Sequence, residues 1–150
     1  MKPLLILALA AALSFTAHAA DKASKPADAK AHEGVWKPTA AVLGGVRLPD
    51  ADLKAITLKI TGTNYEVTVE GEKEPDKGTR TLDTSTSPKR MTITSTNGPN
   101  RGKTFLAIYE MKDAGSLRVC YDLSGTDFPK EFKAPKGTQL YLIGYRQPKE

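Results

Sequence analysis

Two neighbouring runs in the middle of the chain alternate apolar and polar residues with a period of two. Ile56, Leu58 and Ile60 interleave with Thr57, Lys59 and Thr61, and Tyr65, Val67 and Val69 with Glu66, Thr68 and Glu70. Successive side chains of a strand point to opposite faces, so each run has one face for a core and one for water. Gly62, Thr63 and Asn64 form a short turn between them, which predicts an antiparallel hairpin. A charged turn over residues 71–76 leads into a weaker strand near 77–82. Met91 and Ile93 alternate with Thr92 and Thr94 beyond the Ser87-Pro88 break. Residues 104–111 are apolar on both parities, the pattern of a strand covered on both sides. Leu117, Val119 and Tyr121 make the next inward set, and Leu140, Leu142 and Gly144 alternate with Tyr141, Ile143 and Tyr145 before Arg146. One helical turn is expected at residues 49–55, with a Pro-Asp start and a Lys near its end.

About eight short strands at roughly ten-residue spacing point to an all-β fold, a small antiparallel up-and-down barrel. Closure is favoured because an open meander leaves two unpaired edges in solvent. It would bring the first strand, with Trp36, beside the last, with Arg146, and lay the guanidinium over the indole face.

The barrel is expected over residues 34–150, preceded by two segments of different character. Residues 1–19 read as a signal peptide: Lys2 is a positive start, residues 4–15 are apolar apart from Ser14, and Ala17-His18-Ala19 fits a small-x-small cleavage site. The apolar run is shorter than the roughly 18 residues needed to span hydrocarbon, so no stable membrane span is expected after cleavage. Residues 20–33, rich in Ala, Lys, Asp, Ser and Pro, read as a disordered tether. They carry no large apolar residue to offset an ordering cost of roughly 1–2 kcal/mol per residue. A secreted or periplasmic location and a monomer follow as expectations.

The formal net charge of +5 loses Lys2 with the leader and becomes +4. That excess is spread along the chain without interleaved aromatics, which argues against a nucleic-acid partner. Cys120 is the single cysteine, so the exported domain holds no internal disulfide, and a small packed strand residue is its expected role.

Catalytic chemistry is sparse. His18 leaves with the leader and His32 falls in the tether, so residues 34–150 contain no histidine for a triad or a zinc site. No catalytic residue, metal or cofactor is expected. Residues 98–104 imitate a phosphate loop, but three residues separate the glycines where four are needed, and a strand follows instead of a helix. Glu70, Glu72, Glu74 and Asp76 flank a hydrated turn with Lys73 and Lys77 among them. Residues 124–138 make an unusually long connection in which Phe128 and Phe132 are expected to pin the loop to the barrel mouth.

Gly34-Val35-Trp36 near the start and Arg146 near the end resemble the structural signature of the lipocalin superfamily. The domain is more specifically similar to an uncharacterised lipocalin-like family of planctomycete bacteria. Further matching phrases are Gly44-Gly45 with Leu48-Pro49, Ile93 to Pro99, Gly102-Lys103-Thr104, Ile108-Tyr109-Glu110, Leu117 to Cys120 and Pro129 to Phe132. The resemblance implies an exported eight-stranded barrel, with Gly34, Trp36 and Arg146 as its structural signature, and no assigned activity.

Two functions are compatible with this reading. A barrel of eight strands either fills with side chains or holds one small ligand. The candidate lining for a small apolar or amphiphilic ligand is Leu58, Val67, Ile93, Phe105, Tyr109, Val119 and Leu142. The alternative is a non-catalytic interaction or structural module with a protein partner in the cell envelope.

Overall fold

The computed structural model describes residues 26–149; the expected signal peptide, residues 1–19, and residues 20–25 of the expected tether lie outside the described residues. Nine strands are described: β1 (Gly34–Leu43), β2 (Val46–Arg47), β3 (Ile56–Thr61), β4 (Asn64–Val69), β5 (Asp76–Asp83), β6 (Lys89–Asn97), β7 (Thr104–Asp113), β8 (Ser116–Asp122) and β9 (Leu140–Arg146). Two six-residue helices accompany them, α1 (Pro26–Ala31) and α2 (Asp50–Ala55). Neither is long and apolar enough to cross a membrane.

Every pairing is antiparallel, and pairing of β1 with β9 closes an eight-stranded barrel to which β2 is an extra strand. β1 makes that closure by changing partners. Gly34, Val35 and Trp36 pair with β3, whereas Lys37 to Leu43 pair with β9. The β9 register shifts between Pro38 and Ala40, at a proline that has no N–H to give to a ladder. Higher up, the side of β1 that β3 has left is taken by β2, with Leu43 opposite Val46. The residues of α2 then lead into β3 and bury Leu53.

Closure aligns β1 and β9 as expected but does not place Arg146 over Trp36. Arg146 lies opposite Lys37 and is exposed, while its neighbour Tyr145 is buried. The period of two explains the outcome: Trp36 and Tyr145 are inward positions, so Lys37 and Arg146 must point out. Trp36 is fully buried, and its Nε1–H donates to the carbonyl of His32 at 2.8 Å. Gly34 is needed for a different reason. Its φ of 122° favours glycine, and a Cβ there would come within 2.8 Å of Gln147 Nε2, which donates to Glu33 O.

The tether is ordered from residue 26 onward. Sequence composition suggested disorder because no apolar stripe is present, but polar contacts and one buried ring hold this segment instead. Asp28 on α1 accepts from Lys89 Nζ and from the Tyr109 hydroxyl, at 2.8 and 2.9 Å, and His32 is fully buried. The described domain therefore does contain a histidine, at the end of the barrel where β1 starts.

Beyond Leu123, the connection over residues 124–138 packs on the outside of the wall, not at the mouth. Asp122 starts it by accepting the backbone N–H groups of Ser124, Thr126 and Asp127 together with the Ser124 hydroxyl. Burial alone would raise the Asp122 carboxyl, but these donors outweigh it and hold the group below its ordinary value. Farther along, Arg90 lies over the Phe128 ring at 4.5 Å and Arg118 over Phe132 at 4.2 Å. Underneath sit the outward residues Ile108, 1% exposed, and Cys120, whose Sγ meets Lys133 O at 3.4 Å. This cover is the reason β7 is apolar on both parities.

Replacing Trp36 with Ala is expected to lower stability by roughly 3–5 kcal/mol in a denaturant titration, through the cavity left in a filled end of the barrel. Burial pushes the Cys120 thiol above its ordinary value. Alkylation of the native protein at neutral pH should accordingly be slow, and become fast only when denaturant lifts residues 123–139.

Candidate functional site

Strand direction divides the barrel into two ends. β1, β4, β6 and β8 start at one end and β3, β5, β7 and β9 at the other. The first end is plugged by α1 and His32. Above the plug lies an internal cavity of about 210 Å³, reaching the opposite end, where Ile56, Val69, Asp76, Asn100, Leu123 and Tyr141 border it.

Most of the wall is aliphatic or aromatic. Among the residues expected to line it, Leu58, Val67, Ile93, Phe105 and Val119 do so. Tyr109 does not: it lies at the plugged end, its hydroxyl on Asp28 and its ring in a T-shaped contact with His32, with centroids 5.0 Å apart. Leu142 points outward, since its strand neighbours Tyr141 and Ile143 are the ones that border the cavity. In β9 both parities carry large side chains, and the expectation that Leu142 faces inward falls on the wrong one.

The same wall carries polar and aromatic groups that the candidate lining left out, although alternation had already put Tyr65 and Tyr121 in apolar sets. Tyr121 and Tyr141 stack with centroids 6.0 Å apart, and both border the cavity, as does Tyr145. Burial raises all three phenols above their ordinary value. Tyr65 is pushed up to about 12, mainly by burial, and its hydroxyl lies beside Ser95 and Asp76 without completing a well-formed hydrogen bond. It passes over Gly78, its register partner on β5, where the chain comes so close to β6 that a Cβ would collide with the Thr94 carbonyl. Near the open end, Asp76 accepts from the Ser95 hydroxyl at 2.5 Å and from Asn100 Nδ2 at 3.1 Å.

Arg80 forms the link between cavity and plug. It is only 4% exposed, borders the cavity, and donates to Gly62 O at 3.1 Å and Ala29 O at 3.5 Å. Its Nη1 also lies 2.6 Å from His32 Nδ1. A guanidinium can only donate, so Nδ1 must be the acceptor and the His32 ring neutral, with its proton on Nε2. Arg80 Nε has no partner, and no carboxylate pairs with this buried cation among the described residues. A signal for Arg80 was available: it shares parity with the buried Leu82, while Thr79 and Thr81 take the wet face.

No group of three or more His, Cys, Asp or Glu among the described residues is placed to hold a metal ion. Comparison of the chain with family models, curated proteins and solved structures finds no match.

Burial, then the charge of Arg80, lowers the His32 pKa from 6.5 to about 4; Asp28 acts in the opposite sense and Lys89 in the same one. A base with a depressed folded-state value contributes stability above its unfolded value and loses it as pH falls. Wild-type stability should decline as pH drops from about 6.5 to about 4. In His32→Gln, denaturant titrations across that window should show a visibly flatter decline, because the replacement cannot charge.

Proposed function

We propose that this chain is an exported lipocalin-like barrel that binds one small apolar or amphiphilic molecule in its interior. The observation that carries the reading is the cavity itself. Protein interiors pack about as densely as organic crystals, so a hollow of about 210 Å³ walled mostly by aliphatic and aromatic side chains is space that the barrel does not fill with its own core. An engineered apolar cavity of about 150 Å³ admits benzene, which by proportion suggests a ligand of about eight to ten heavy atoms here. The stacked tyrosines and Phe105 favour a single ring or a short alkyl chain over a bulkier molecule.

Export rests on the leader-like residues 1–19, and the proposed kinship with lipocalin-like proteins rests on the Gly-x-Trp opening together with barrel closure. Binding in this reading is non-catalytic, and the protein acts in the envelope or outside the cell.

Toluene and 1-octanol serve as probes in a titration of the mature protein followed by amide NMR. Saturable shifts should concentrate on β3, β4, β7 and β8 around Leu58, Val67, Phe105 and Tyr121. Val67→Phe, which fills the space, should weaken both probes by about tenfold or more while preserving the folded spectrum. Shifts that do not saturate, or that Val67→Phe leaves in place, would remove the binding reading.

A further inference from the structure

The unpaired cation at the base of the cavity narrows the kind of ligand. A buried guanidinium ordinarily has a carboxylate or a full set of acceptors, because desolvating a charge without compensation is expensive. Arg80 has neither. Its described contacts are two backbone carbonyls and one neutral imidazole, the Glu33 carboxylate acts on it by charge without touching it, and Nε donates to nothing. Tyr65, also bordering the cavity and also buried, adds nothing to this deficit, because its hydroxyl lies toward Ser95 and Asp76. One unused charged donor thus sits at the base of a mostly apolar wall.

The charge at the other end has the opposite sign. Asp76 and Arg80 occupy inward positions of the same strand, four residues apart, which is about 13 Å along β5. An anionic group is repelled where Asp76 borders the cavity and attracted at its base; a cationic group experiences the reverse. Low polarity between the two makes the field along the cavity stronger than it would be in water. A neutral ligand uses the apolar wall but leaves Arg80 uncompensated.

We infer that the cavity takes a small monocarboxylate with an apolar tail, its carboxylate on Arg80 Nε at the plugged end and its tail directed toward Asp76. One cation calls for a single negative charge, and a carboxylate accepts a charge-assisted N–H bond well. The apolar remainder matches Leu58, Val67, Ile93 and Val119. This inference rests on the proposed binding function and specifies the chemical class of its ligand.

Octanoate and 1-octanol share a tail and differ at the head, so calorimetric titration of the mature protein with each at pH 7.5 separates the two levels of the proposal. Octanoate should bind at least about tenfold more tightly than 1-octanol. Arg80→Met should abolish that preference, read as the ratio of the two affinities in the folded variant. If neither probe binds, the binding function itself fails. If both bind equally, or if folded Arg80→Met keeps the preference, the carboxylate assignment fails and the binding function stands. A second readout needs no variant: in carboxyl-¹³C-labelled octanoate, the bound carboxyl should titrate below its free value. A bound carboxyl that titrates at or above the free value would overturn the assignment even where Arg80→Met does not fold.

Discussion

The change of partner along β1 is the constraint on which the rest of this barrel depends. Three residues pair with β3 and the following stretch pairs with β9, so a single strand serves both margins of the sheet. Closure removes the open margins along which a meander would recruit another chain. It also sets parity around the whole wall. Once Trp36 and Tyr145 point inward, every other strand has one permitted phase, and the cavity is the space their inward sets leave unfilled.

Each end of that space is closed by different physics. At the plugged end, side chains and backbone are tied into one network: Trp36 to His32, His32 to Arg80, Arg80 to the Gly62 turn, and Tyr109 through Asp28 to Lys89. Its members come from α1, β1, β5, β6 and β7, so the network couples strands that are not neighbours in the sheet. At the other end, few cross-barrel polar ties exist among the described residues, and Asp76 is held locally by Ser95 and Asn100.

Strand positions were legible because half-buried strands write a period of two into the chain, as Ile56 to Val69 and Met91 to Thr94 illustrate. Closure was legible from the number of strands and the cost of free edges. The wall lining was legible only where one parity is plainly polar: Leu58 and Val67 could be assigned, whereas Leu142 could not, because Tyr141 and Ile143 compete for the interior. Cavity and solid core share the same alphabet, so free volume has no signature in the sequence. The inward parity of Arg80 was legible beside Leu82, but its contact with His32 was not. Buried polar residues break the pattern that marks a core, and what secures them is long-range geometry, 48 positions apart in the chain for the contact between these two.

The ordering of residues 26–33 has a consequence for what counts as the domain. Counting strands would set its first residue at Gly34, just after the ring that seals the base of the barrel. A polypeptide trimmed there would strip Trp36 of its carbonyl acceptor and Arg80 of two of its acceptors, and would admit solvent beneath both. Eight residues of modest composition are thus the cork of this vessel, and they come in the chain before the glass.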